Sequence, residues 1–453
     1  MNDASRPATQ PVTQLLAAFA AKSGPATQSG AIPPDAARMM SLSLLDWAAV
    51  AIAGKDEPVA RLTRQMAQED GGTPDAVVIG SDQRLPARSA ALVNGATSHA
   101  LDYDDTHFAH IGHPSVAVVP AALAVAARVG ADGTRLRDAA LIGVETSVRL
   151  GVWLGRSHYQ TGFHQTGTAG AFGATAAAGH LLGLDADTMA HALGLVATRA
   201  SGLKSQFGTM GKPYNAGIAA ANGVEAALLA ASGMISNPEG IECAQGFGPT
   251  HAGTTMAELP MPQPGAPWLF ESVSHKFHAC CHGTHAMLEA LAELRALHGL
   301  SAEDVEHIEL TTHPRWMAVC NIPTPRTGLE VKFSYRHAAA MALSGRDTGA
   351  LDSFTDALAT DAGLRALAEK VVVTASEEVP ETAARLRITL QNGRTVEAAH
   401  DLNQPITLDA RADKLAAKVR ALLGETRAQA LSDAVLGTSG PDLRAFETVL
   451  QAG

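Results

Sequence analysis

Up to about Trp268 the apolar positions of the chain fall in helix-length blocks, and strict alternation is rare. DAARMMSLSLLDWAAVAIA (35–53) follows Pro33 and Pro34 and stops at Gly54. Proline suits a first helical turn and glycine a terminus, so a helix is predicted there. Further helices are predicted at about 86–99, 115–129, 134–154, 166–182, 186–199 and 213–233. Many carry Ala and Gly where Leu would be usual, as in GTAGAFGATAAAGHLLG. Each interior glycine costs about 1 kcal/mol of helix propensity, so these sequences point to a buried bundle in which helices approach closely.

The pattern changes after LPMPQPGAPW. Val305 to His313 (VEHIELTTH) alternates like a half-buried strand, and ARLRITLQNGRTVEAAH sets Asn392-Gly393 between two alternating runs, the signature of a hairpin. A last helix is predicted at Ala412 to Glu425. The fold expected is mainly α. Residues 1–267 start an all-helical domain, 268–400 form a smaller α+β domain, and 401–453 return to complete the first. No internal repeat of 20 to 50 residues is visible.

Composition narrows the function classes. With 453 residues, 46% hydrophobic and 17% charged, the chain is globular. A net charge of −11 argues against nucleic-acid or anionic-membrane binding, which call for a basic surface. An anionic ligand therefore needs locally concentrated cations. The start, MNDASRPATQPVTQLLAAFAAKSG, lacks a basic segment followed by a long apolar one. Apolar runs such as SVAVVPAALAVAA fall short of the roughly 20 residues of a membrane helix. The four cysteines, Cys243, Cys280, Cys281 and Cys320, suggest no disulfide framework, so a cytoplasmic protein is expected.

Candidate chemistry concentrates in ALDYDDTHFAHIGHPS (100–115), with three aspartates and three histidines. Metal binding by His107, His110 and His113 is one reading, but over six residues a helix turns about 600°, so the outer two diverge by about 120°. No HExxH or CxxC accompanies them. A solvated turn is the second reading. The third, an acid/base and carboxylate-binding loop, draws on three other stretches. In FGTMGKPYNAG, Lys212 precedes Pro213 and a helix start, where free N–H groups favour an anion. KFHACCHGTH gathers Lys276, three histidines and two cysteines, the thiols reading best as small buried hydrophobes. PRTGLEVKFSYRH offers Arg326, Lys332 and Arg336 as carboxylate partners, with surface salt bridges as the alternative.

LDYDDTHFAHIGHPS, GFHQTGTAGAFGA, FGTMGKPYNAGIAAANGVEAA, KFHACCHGTH and VKFSYRH, in this order, resemble the MmgE/PrpD family over about residues 33–425. That family includes 2-methylcitrate dehydratase, cis-aconitate decarboxylase and iminodisuccinate epimerase. The resemblance implies a helical domain built from both chain ends, a smaller α+β lid domain, a homodimer, a site between the domains, and chemistry without metal or organic cofactor. It carries over Asp102, Thr106, His113, Lys212 and His285; the expected catalytic residues are Asp102, His113, Lys212 and His285, and the candidate substrate contacts are Thr106, Tyr103, His164, Lys276, Arg326 and His337. His337 stands where the family often has tyrosine, replacing a phenol of pKa near about 10 with an imidazole near about 6.5. His107 and His110 are expected to be variable neighbours that shape substrate choice. The implied function is proton abstraction next to a carboxylate of a small di- or tricarboxylate. A dehydratase-type lyase comes first, an epimerase or isomerase second and a decarboxylase third; a non-catalytic polycarboxylate-binding homologue is the reading from another class.

Overall fold

The computed structural model describes residues 11–21, 32–252, 261, 263–438 and 440–451; most of the proline-rich junction is described, but its positions 259, 260 and 262, like the first ten residues, lie outside that set. The described residues hold eighteen α-helices and six strands, so the chain is mainly α. They divide into two compact units, one running to His275 and resuming at Leu423, the other spanning Lys276–Leu422.

The first unit contains α1 (Val12–Ala20), α2 (Pro34–Ala53), α3 (Pro58–Asp70), α4 (Ala87–Ser98), α5 (Ser115–Val129), α6 (Gly133–Thr161), α7 (Gln165–Leu182), α8 (Ala186–Ala197), α9 (Gly211–Ala231) and α10 (Phe247–His251), with a two-stranded ribbon of β1 (Ala76–Val77) and β2 (Arg84–Leu85). α2 begins at Pro34 and ends at Gly54, as its sequence implies. It is the one described helix long and apolar enough to cross a membrane, against the expectation that no run reaches that length; 83% of its apolar window is buried inside the fold, which makes it a core helix.

The small residues do the packing. α7 lies against α6 and α9, and α4 against α9. A Cβ on Gly143 of α6 would stand 2.6 Å from the Gly173 carbonyl, and one on Gly173 of α7 would stand 2.5 Å from the Gly143 carbonyl. Between α4 and α9, a Cβ on Gly95 would meet the Gly217 Cα at 2.9 Å. Only glycine permits these backbone approaches, and the burial they achieve offsets its poor propensity.

The second unit holds α11 (His285–His298), β3 (Val305–Thr312), α12 (Gly328–Val331), α13 (Tyr335–Leu343), α14 (Asp356–Thr360), α15 (Ala362–Ala368), β4 (Val371–Ala375), β5 (Ala383–Leu390), β6 (Thr395–Asp401) and α16 (Leu408–Leu423). Its sheet runs β4-β3-β5-β6, with β3 parallel to β4 and antiparallel to β5. β5 and β6 form the hairpin expected at Asn392-Gly393, and Gly393 has φ 78°. α11 packs on β5 and β6.

α16 belongs to this unit, so the return to the first unit begins at Leu423 and not at 401. Leu415 and Val419 of α16 are buried, and Lys414 pairs with Glu289 of α11 and lies over the Phe277 ring. Of the helices after β6, only α17 (Glu425–Leu436) and α18 (Leu443–Gln451) belong to the first unit, where α17 packs on α2.

Gly173→Ala should destabilise the protein by about 1–3 kcal/mol, because the methyl must push α6 and α7 apart. Urea unfolding checks this; an unchanged midpoint would show that the pair can separate freely.

Candidate active site

In the first unit, helix ends deliver the polar groups. His99 caps the C-terminus of α4, His164 caps the N-terminus of α7, Lys212 is the second residue of α9, and His113 precedes Pro114 at the start of α5. The connecting loop reverses direction through two non-glycine residues in the left-handed region, Asp102 (φ 50°) and Ile111 (φ 54°). Aspartate tolerates that conformation, whereas a β-branched isoleucine is strained there, and such strain persists only where the surroundings enforce it.

The loop exposes one carboxylate and buries two. Asp102, its side chain 49% exposed, has Oδ2 2.6 Å from Lys212 Nζ and Oδ1 3.6 Å from His113 Nε2. Asp104 is buried between two imidazoles: Oδ1 lies 3.0 Å from His99 Nδ1 and Oδ2 2.7 Å from His113 Nδ1. Burial alone would raise its pKa, but His99 and His113 hold it well below the usual carboxylate range. Asp105 accepts hydrogen bonds from the Ser115 amide (3.3 Å) and hydroxyl (2.5 Å) at the start of α5. Its carboxyl is pushed up to about 7, first by burial and then, against the Ser115 bonds, by Asp46 and Asp104.

His164 stacks on His99 with ring centroids 5.9 Å apart and meets the Phe207 ring edge-on. The Asn215 side-chain amide donates to its Nδ1 at 3.1 Å, so the neutral ring carries its proton on Nε2. Burial, then the nearby His99 and Lys212, keep its pKa well below the ordinary value. Thr106 exchanges backbone hydrogen bonds with Ser274, and Tyr103 is buried. The structure thus brings Asp102, His113, Lys212 and His164 together.

His107 and His110 are buried and serve the loop itself, which corrects their expected role in substrate choice. His107 Nε2–H donates to the Leu269 carbonyl at 2.8 Å, and its Nδ1 accepts the His110 amide. The His110 ring fills space left by Gly151, whose Cβ would stand 1.8 Å from Nδ1.

The second unit forms its own cluster. His285 opens α11 with Nε2 3.3 Å from the Cys280 carbonyl, so Nε2 is the protonated nitrogen. Burial first, then His282, His278 and Lys276, keep its pKa well below the ordinary value. Cys280 is buried against Thr284, and burial pushes its thiol up to about 12, which suits packing better than nucleophilic work. Lys276 is buried, while Arg326 is exposed on the surface beside Glu330. His337 is buried on α13, and burial, then Arg365, hold its pKa below the 6.5 expected from sequence. The phenol of this segment belongs to Tyr335, which donates to the Gly283 carbonyl at 2.8 Å and lies 3.0 Å from the Thr312 hydroxyl. Tyr335 therefore braces the KFHACCHGTH loop.

Models of the MmgE/PrpD N-terminal domain and C-terminal domain match residues 15–259 and 278–437. The chain belongs to the MmgE/PrpD family. It is 28% identical to the cis-aconitate decarboxylase-like protein oryM of Aspergillus oryzae, over 89% of this chain and 90% of that protein. It is 27% identical to cis-aconitate decarboxylase of Aspergillus terreus, over 90% and 89%, and 28% identical to the human cis-aconitate decarboxylase, over 78% and 76%.

In this MmgE/PrpD chain the site also uses residues that the sequence reading passed over: His99, Asp104 and Asn215. Asp104 and His99 lie in or beside the acidic loop and were visible as residue types; only the reversal at Asp102 reveals what they face. His99, Asp102, Asp104 and His113 each offer a ligand atom, all within 4.8 Å of one another, so they are the described residues that could hold a cation. The ammonium of Lys212, bonded to Asp102, opposes a dication there.

Asp105 yields a pH prediction. Its folded pKa of about 7 exceeds the unfolded 3.8, so the folded form keeps a proton that the unfolded form loses, and stability falls as pH rises toward 7. Asp105→Asn removes this loss. Its stability relative to wild type should rise by about 2–3 kcal/mol from pH 5 to pH 8, since two pKa units correspond to about 2.7 kcal/mol. Urea midpoints at the two pH values check this; a constant difference would refute it.

Proposed function

We propose that this protein is a lyase of the MmgE/PrpD family acting on a small di- or tricarboxylate, with Asp102, His113 and Lys212 at the reacting centre. The observation that carries the reading is one half-exposed carboxylate shared by an ammonium and an imidazole. A substrate carboxylate can replace Asp102 beside Lys212, and His113 Nε2 is placed to move a proton at the adjacent carbon. Negative charge developing on the substrate is stabilised by the fixed ammonium, which is where electrostatic catalysis acts. The mechanism requires no metal or organic cofactor, because Lys212 supplies the positive charge.

Decarboxylation of a cis-aconitate-like substrate is the preferred reaction. The sequence reading ranked dehydration first; relatives bearing the decarboxylase name and spanning most of the chain support the change of order. In this step the bond to one carboxylate breaks, CO2 leaves and the electron pair stays on carbon; His113, whose Nε2 has first taken up a solvent proton to form the imidazolium, delivers that proton to complete the product and returns to its Nδ1–H form. Dehydration would instead expel hydroxide after proton removal.

Proton NMR of the protein with cis-aconitate, citrate, 2-methylcitrate and aminated succinates in D2O tests the assignment. The expected result is loss of CO2 from cis-aconitate with one deuteron incorporated, slowed about 100-fold or more by Lys212→Ala and by His113→Gln. Water loss from 2-methylcitrate would restore the dehydratase, and binding without turnover across the panel would mark a non-catalytic homologue. Activity is expected to survive exhaustive chelation; loss restored by one divalent ion would assign the four-residue cluster to a metal.

A further inference from the structure

We propose that Asp104 is the positioning residue of the proton-transfer site, a single buried carboxylate that fixes both His99 and His113 with Nδ1 turned inward. This rests on the reading of His113 as the proton carrier. Asp104 Oδ1 is 3.0 Å from His99 Nδ1 and Oδ2 is 2.7 Å from His113 Nδ1, and the two rings are tilted at 60° with centroids 4.6 Å apart. The side chains of His99 and Asp104 are 0% and 1% exposed, whereas that of His113 is 12% exposed. His99 Nδ1 donates to the carboxylate and so carries a proton; His113 Nδ1 meets it in an ion-pair contact whose N–H is not aligned on the oxygen, and at 2.7 Å it too must carry a proton, since two lone pairs do not approach so closely. The consequence for His113 is that Nε2 is left to face Asp102, 3.6 Å away, and Lys212 beyond it. His99 gives the carboxylate a second donor and packs its ring between those of His113 and His164. The pair therefore sets which nitrogen of His113 meets the substrate, a choice that a buried acceptor behind an imidazole commonly makes. Asp104 itself touches no reacting atom.

Asp104→Asn keeps the shape, but its amide cannot accept from both rings through equivalent oxygens, so one imidazole must change tautomer. In nitrogen-15 histidine spectra of the full-length wild-type protein, assigned with His99→Gln and His113→Gln, Nδ1 of both residues should be protonated. In Asp104→Asn, the His113 proton should move to Nε2, and kcat should fall about 100-fold with KM changed less than about threefold. Wild-type His113 protonated on Nε2 alone would overturn the proposal, as would a folded Asp104→Asn variant with kcat within threefold of wild type. Should the variant fail to fold, the wild-type tautomer decides. Should no polycarboxylate turn over, the functional reading fails by itself, and the nitrogen-15 spectra still judge Asp104.

Discussion

Backbone contact between helices is the constraint on which the rest of the first unit depends. α4 and α9 touch at Gly95 and Gly217, α9 and α7 at Gly223 and Ala174, and α6 and α7 at Gly143 and Gly173. Helices that meet at glycine have little freedom to slide, because any shift drives a carbonyl into the neighbouring backbone. Their ends therefore keep a fixed spacing. Those ends carry His99, His164 and Lys212, so the tolerance of the polar cluster is set by apolar packing about one to three turns away. A charge-bearing site held to ångström tolerance needs such a scaffold, since long side chains on loops would spread over many rotamers.

The same logic explains what could be read in the chain. Helices 35–53, 115–129 and 166–182 were legible because proline starts, glycine stops and apolar blocks act locally. The hairpin at Asn392-Gly393 was legible for the same reason: the turn residue requirement is contained in two positions. β4 was not, because VVVTA is a short apolar run whose strand identity comes from pairing with β3, some 60 residues earlier. The boundary at 422 was hidden likewise, since the place of α16 depends on contacts distant in sequence, the Lys414–Glu289 pair among them.

Among site residues, Lys212 announced itself through the adjacent proline of a helix start, and His113 through the family resemblance. Asp104 and His99 did not, although both stand in plain view. Their roles depend on the left-handed backbone at Asp102, which sends Asp102 outward and Asp104 inward within three residues. His337 shows the opposite error. Its residue type suggested titration near neutrality, but burial beside Arg365 disfavours the imidazolium, and burial is a property of the fold that a residue name does not carry.

The two carboxylates flanking Tyr103 divide their labour through solvent access. Asp102 is 49% exposed and its bond to Lys212 is that of a partly hydrated ion pair, a class worth only about 0–1 kcal/mol. Such a pair exchanges partners readily, and an incoming carboxylate can take over the ammonium at small cost. Asp104 is 1% exposed, and breaking a buried pair of its kind typically costs about 3–5 kcal/mol. It does not exchange. One loop thus supplies a yielding carboxylate toward solvent and a fixed one behind the histidine, and His113 sits between them with a nitrogen facing each. In the function proposed above, that asymmetry lets the site admit an anion without releasing the imidazole assigned to act on it.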